Sequence, residues 1–92
     1  MKIVFSLVAH IELEETALYY ESEKEGLGEL FKTIAIEAIG KLEIFPELYM
    51  QISPNVRRIV LSKFPYNIFY NYKEEVITII SIAHQHKKPI YI

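Results

Sequence analysis

The sequence predicts an α+β fold: a two-layer sandwich with an N-terminal strand, an α-helical hairpin, and then an antiparallel β-meander with the helices packed on one face. Three observations carry this. Residues 10–45 repeat their apolar positions at helical spacing, interrupted once by Gly26-Leu27-Gly28. Residues 48–84 are rich in β-branched and aromatic residues, with Pro54 and Pro65 confined to junctions, as ladder hydrogen bonding requires. Finally, 51% of the 92 residues are apolar and 13% aromatic, which supplies one domain, residues 1–92, with enough core to fold without cross-links.

Taken in order, the β-branched run 2–8 reads as a strand and 10–25 as a helix. On that helix Ala9, Leu13, Thr16 and Tyr20 form the buried stripe, while Glu12, Glu14, Glu15, Glu21 and Glu23 face water. Gly26 suits a left-handed helix end, Gly28 an N-cap, and Leu27 the plug of the corner between them. The second helix extends to about Phe45, burying Phe31, Ile34, Ala38, Leu42 and Phe45, and Pro46 stops it. Ile36 and Ile44 project away from that stripe and are candidate partner contacts.

Strands are expected at 48–52, 56–63, 66–73 and 76–84, the last two joined by a turn at Glu74-Glu75. In the third, Tyr66, Ile68, Tyr70 and Tyr72 share one face and Asn67, Phe69 and Asn71 the other. The last is apolar on both faces, which predicts neighbours on both sides.

Composition excludes several kinds of chemistry. With no Cys there is no disulfide, thiolate metal site or Cys nucleophile, and with no Asp any acid–base carboxylate has to be a Glu. The opening apolar run is too short for a membrane span and lacks a cleavage site, so a soluble cytoplasmic protein is expected. The net charge of −2 conceals a split of −6 over residues 1–47 and +4 over 48–92. That balance argues against indiscriminate nucleic-acid binding, yet it permits a positive face for an acidic partner.

The basic and aromatic residues of the second half are the candidate contacts: Arg57, Arg58, Lys63, Asn67, His84, His86, Lys87, Lys88 and Tyr91. Arg57 and Arg58 are adjacent in a strand and point to opposite faces, so one reaches the open face of the sheet. Alone, such a pair reads as an edge charge that discourages aggregation. His84, His86 and their neighbours lie at or beyond strand ends that could converge near the open face. The two His share a face if the strand continues, but no third ligand is evident, so no metal is expected. Tyr19 and Tyr20 read as core residues with a wet hydroxyl.

Read together, these pieces resemble the RelE/ParE family of toxins from bacterial type II toxin–antitoxin systems, along nearly the whole chain. The resemblance rests on Glu12-Leu13 with Glu15 and Tyr19-Tyr20-Glu21, on Gly26-Leu27-Gly28 with Phe31, and on Phe45-Pro46. It continues with Val56-Arg57-Arg58, with Phe64-Pro65-Tyr66 followed by Ile68 and Tyr70, and with Ala83-His84, Pro89 and Tyr91. It implies the family's two-layer fold, no cofactor, and a cognate antitoxin whose extended or helical segment wraps the toxin. It implies contact with operator DNA only through that antitoxin, and assembly as a homodimer or a toxin–antitoxin hetero-oligomer.

The family contains two activities. RelE-type members cleave mRNA on the ribosome, without metal, using Lys, Arg and Tyr side chains on the open face. ParE-type members, among them plasmid-stabilisation toxins, share the fold and poison DNA gyrase. Aligned on Ile68 and Tyr70, Asn67 stands where RelE-type enzymes carry an Arg. Lys87-Lys88 replaces an expected Arg, and Ile92 stands where Trp is frequent. The expectation is therefore a ParE-like growth-inhibiting toxin directed at DNA gyrase. The alternatives are a metal-independent endoribonuclease with Arg58, His84, Lys87 and Tyr91 as an acid–base set, and a non-toxic relative that only binds antitoxin.

Overall fold

A computed structural model describes residues 1–87. Lys2–Phe5 forms β1, and α1 (Leu7–Glu23) begins after a single intervening residue. Ser6 caps it, its hydroxyl accepting from the Ala9 N–H at 3.0 Å. The strand expected over 2–8 is therefore four residues long, because a good N-cap outweighs the β-branched Val8 that follows. On α1 the fully buried positions are Ala9, Leu13 and Ala17, flanked by the half-buried Thr16 and Tyr20.

The second helix, α2 (Leu27–Gly40), gives way to a single 3₁₀ turn at Lys41–Glu43 before Pro46 is reached. It buries Gly28, Phe31, Ala35 and Ile39, with Leu42 completing the stripe from the 3₁₀ turn. Ile34 and Ala38 lie half-buried beside them, and Phe45, expected in the core, is 57% exposed. The tighter 3₁₀ winding rotates Phe45 out of the stripe.

At the hairpin Gly26 takes both of the roles expected of the two glycines. Gly26 is the left-handed residue (φ 86°), and it caps the start of α2. Gly28 lies inside that helix, where a Cβ would run into the Ala17 carbonyl oxygen and the Glu21 side chain. It is there for close approach of the helices. Glu21, expected to face water only, closes the corner: its carboxylate accepts the N–H groups of Gly26 and Gly28, each at 2.9 Å. These bonds, that from Gly26 first, hold its pKa below the ordinary value.

Four further strands follow: β2 (Gln51–Ser53), β3 (Val56–Val60), β4 (Tyr66–Lys73) and β5 (Val76–His84). The sheet order is β1-β5-β4-β3-β2. The last four strands form the expected antiparallel meander, and β1 adds to it in parallel, Lys2 opposite Val76 and Phe5 opposite Ile79. β5 thus has a neighbour on each side, as its two apolar faces predicted. The turn between β4 and β5 places both Glu74 and Glu75 at positive φ (52° and 66°), a conformation that disfavours residues other than Gly and Asn.

The helices cover the face carrying Tyr66, Ile68 and Tyr70 together with Ile77, Ile79 and Ile82. At one end of this core Phe64 meets Tyr20 and Phe31 edge to face, ring centres 4.8 Å and 5.2 Å apart, and Tyr66 packs edge-on against the same two rings. The Phe64-Pro65-Tyr66 junction is therefore a core anchor that fastens the start of β4 to both helices. No helix among the described residues is long and apolar enough to cross a membrane.

Candidate functional site

The candidate residues separate between the two faces of the sheet. Arg58 lies opposite Phe69, outside the helix-covered core, and so reaches the open face. Asn67 sits on the same face, between Val60 of β3 and Ala83 of β5. Its Oδ1 is buried without a hydrogen-bond partner among the described residues. Phe69 and Ala83 beside it are only 4% and 7% exposed, so this face is buried around Asn67.

Arg57 points the other way, and its role is structural. Its guanidinium donates to the Tyr49 carbonyl at 2.8 Å and the Glu47 carbonyl at 3.2 Å, and pairs with the Glu47 carboxylate at 3.4 Å. The Tyr70 hydroxyl donates to the Pro46 carbonyl at 2.9 Å. Burial, foremost, pushes that phenol's pKa up. Together the two side chains draw segment 46–49 across the helix-covered face. That is why β2 is three residues long and not the five expected over 48–52.

His84 was expected near the open face, and a β-bulge places it on the other. In the β4–β5 ladder Phe69 faces Ser81 and Tyr70 faces Ile79, leaving Ile80 unpaired. The extra residue shifts the alternation, so Ile82 and His84 turn to the helix-covered face. His84 lies edge-on against Tyr66, ring centres 5.3 Å apart. Its Nδ1 accepts the His86 N–H at 3.1 Å, which leaves Nε2 to carry the proton in the neutral ring. The two imidazoles are 5.3 Å apart through a turn closed by the Lys87 N–H on the His84 carbonyl, not through a continued strand.

Glu12 holds this arrangement at the sheet edge. β1 has ended by Ile79, so the N–H of Ile82 has no strand to bond. The Glu12 carboxylate accepts it at 2.8 Å and the Ser81 hydroxyl at 3.0 Å, while the Ser6 hydroxyl donates to the Ile80 carbonyl at 2.9 Å. Glu12 was read as part of a solvated helix face. What marks it out is that Ser6 alone separates β1 from α1, which leaves the following strand edge for α1 to finish.

A polar notch of about 160 Å³ results, lined by Glu12, Glu15, Thr16, Tyr66, His84 and Lys87. Tyr20, beyond Tyr66, has its pKa raised by burial first and then by the neighbouring Tyr66 and Tyr19. Tyr19 itself is 56% exposed, contrary to its reading as core. Arg58 and His84 lie on opposite faces, so they do not form a single acid–base set with Lys87. Lys63 adopts a left-handed conformation (φ 69°) beyond β3, and Ile36 and Ile44 are exposed as their spacing predicted. Lys88 and Tyr91 lie outside the described residues.

No family model matches this chain, and no curated protein matches it in sequence. Its fold is similar to that of a solved chain described as belonging to the chromosomal ParDE TA system from P. aeruginosa. The two share 18% sequence identity, the match spans 91% of this chain and 95% of the other, and the TM-score is 0.74. The likeness is one of fold.

Proposed function

We propose that this chain is the ParE-like toxin of a bacterial type II toxin–antitoxin pair, neutralised by a cognate antitoxin and acting on DNA gyrase by binding it. Two lines of support meet. The fold likeness to a chain of a ParDE system covers nearly the whole molecule, and the sequence motifs follow the family's order along the chain. The observation that favours protein binding over RNA cleavage is the placement of the candidate acid–base residues: Arg58 is separated from His84 by the sheet itself. Metal-free phosphodiester cleavage needs a base, an acid and a cation around one phosphate.

The test is induced expression with and without the product of the adjacent reading frame, followed by a supercoiling assay on purified gyrase. Growth arrest relieved by that product, with supercoiling inhibited, is the expected result. Normal supercoiling together with cuts in translated mRNA selects the endoribonuclease. Harmless expression with a retained complex selects a non-toxic antitoxin-binding relative.

A further inference from the structure

The outer edge of β3 is left open beyond Arg58. The Arg58 N–H donates to the Met50 carbonyl of the β2 segment at 3.1 Å, whereas the Leu61 N–H donates to the Tyr66 carbonyl on the β4 side at 3.0 Å. In an antiparallel ladder these sides alternate, so the N–H and C=O of Val60 point outward with those of Arg58. The β2 pairing stops at Gln51 opposite Arg57, and among the described residues no strand lies against Val60. Natural edges are usually blunted by charge, proline or a bulge. Here the edge residue is a valine 58% exposed, and Leu48 and Met50 of the neighbouring segment are 56% and 65% exposed.

Alongside this edge runs a groove of about 360 Å³ between β3 and α2. Ile34 and Ala38 of α2 give it an apolar wall above the buried Ile59 and Leu61, its remaining lining is mostly polar, with Tyr49 and Ser62, and Lys41 and Lys63 stand on its rim against a single Glu37. We infer that the open β3 edge and this groove form a docking site for an extended segment of a protein partner. The segment adds as a further strand at Val60, sets an apolar side chain into the groove, and places an acidic residue near Lys41 and Lys63. Outward backbone groups select an extended occupant, the groove selects alternate apolar side chains, and the rim charge selects the acid. The inference does not rest on the toxin reading.

The probe is a short blocked peptide of about six residues, alternating leucine or valine with threonine and glutamate. It is added to the full chain while amide exchange is followed by NMR. In the free protein the Val60 amide exchanges rapidly, and saturating peptide slows it by about tenfold or more. Val60→Pro removes only an outward N–H and weakens binding at least about tenfold, while Val60→Thr keeps the amide and the affinity. Ala38→Arg fills the groove from the helix side and gives the same loss if the proline variant fails to fold. A Val60 amide already protected in dilute free protein, peptide binding that survives both variants, or no protection at millimolar peptide overturns the inference. Protection that appears with rising protein concentration and no peptide overturns it in favour of edge-to-edge pairing of two copies.

Discussion

The two edges of the sheet begin from the same difficulty and resolve it differently. On one side β1 stops at Phe5, short of the end of β5; on the other β2 covers only the start of β3. Beyond β1, side chains take over the ladder: Ser6 bonds the Ile80 carbonyl, and Glu12 bonds the Ile82 N–H and the Ser81 hydroxyl. Beyond β2 the neighbouring chain is pulled away by Arg57 and Tyr70, and Val60 faces water. A partly buried edge must be finished internally, because an unpaired buried N–H costs about 1–3 kcal/mol. An edge in water carries no such cost and stays free for another chain.

Glu12→Ala has the largest expected effect. It should destabilise the fold by about 2 kcal/mol, since it strips a charged acceptor from a half-buried N–H. Urea denaturation measures that, and faster exchange at Ile82 should accompany it. Unchanged stability would remove the contrast between the edges.

Tyr70→Phe should cost about 1 kcal/mol through loss of its bond to the Pro46 carbonyl. It should also loosen segment 46–49, read as faster exchange there with β4 unchanged. If that segment stays equally ordered, Arg57 alone holds it off the β3 edge.

The smallest effect belongs to Glu21, whose carboxylate closes a helix corner in the way Glu12 closes a strand edge, but in water. Its pKa is lowered in the folded state by the Gly26 and Gly28 N–H groups. Its contribution is therefore full above the unfolded value of about 4.3 and is lost as pH falls through the lowered folded value. The melting temperatures of Glu21→Gln and the native chain should differ at neutral pH and converge in acid. A gap that persists after the carboxyl is protonated would show that Glu21 acts by packing.

Some of this was legible in the residues and some was not. The limits of β4 and β5 follow from alternation, tyrosines against asparagines, and from the turn between them. The start of α1 was displaced because Val8 favours a strand while Ser6, a single residue, sets the cap. The bulge at Ile80 left only a faint mark, since β5 is apolar on both faces apart from Thr78 and Ser81, whose odd spacing is the sign of the one-residue slip that puts both on one face. His84 was therefore assigned near the wrong face, and with it the proposed acid–base set lost its common surface.

What the sequence by itself determined is the class of fold, the helical hairpin, the meander, and the likeness to a toxin family, because periodicity and turn residues are local properties. Only the tertiary structure decided which edge is sealed and which is open. Glu12 and Ile82 are 70 positions apart, and Arg57 acts on carbonyls eight and ten residues before it. Such contacts exist only once the helices are laid on the sheet. They settle which backbone groups are satisfied within the chain and which are left for a partner.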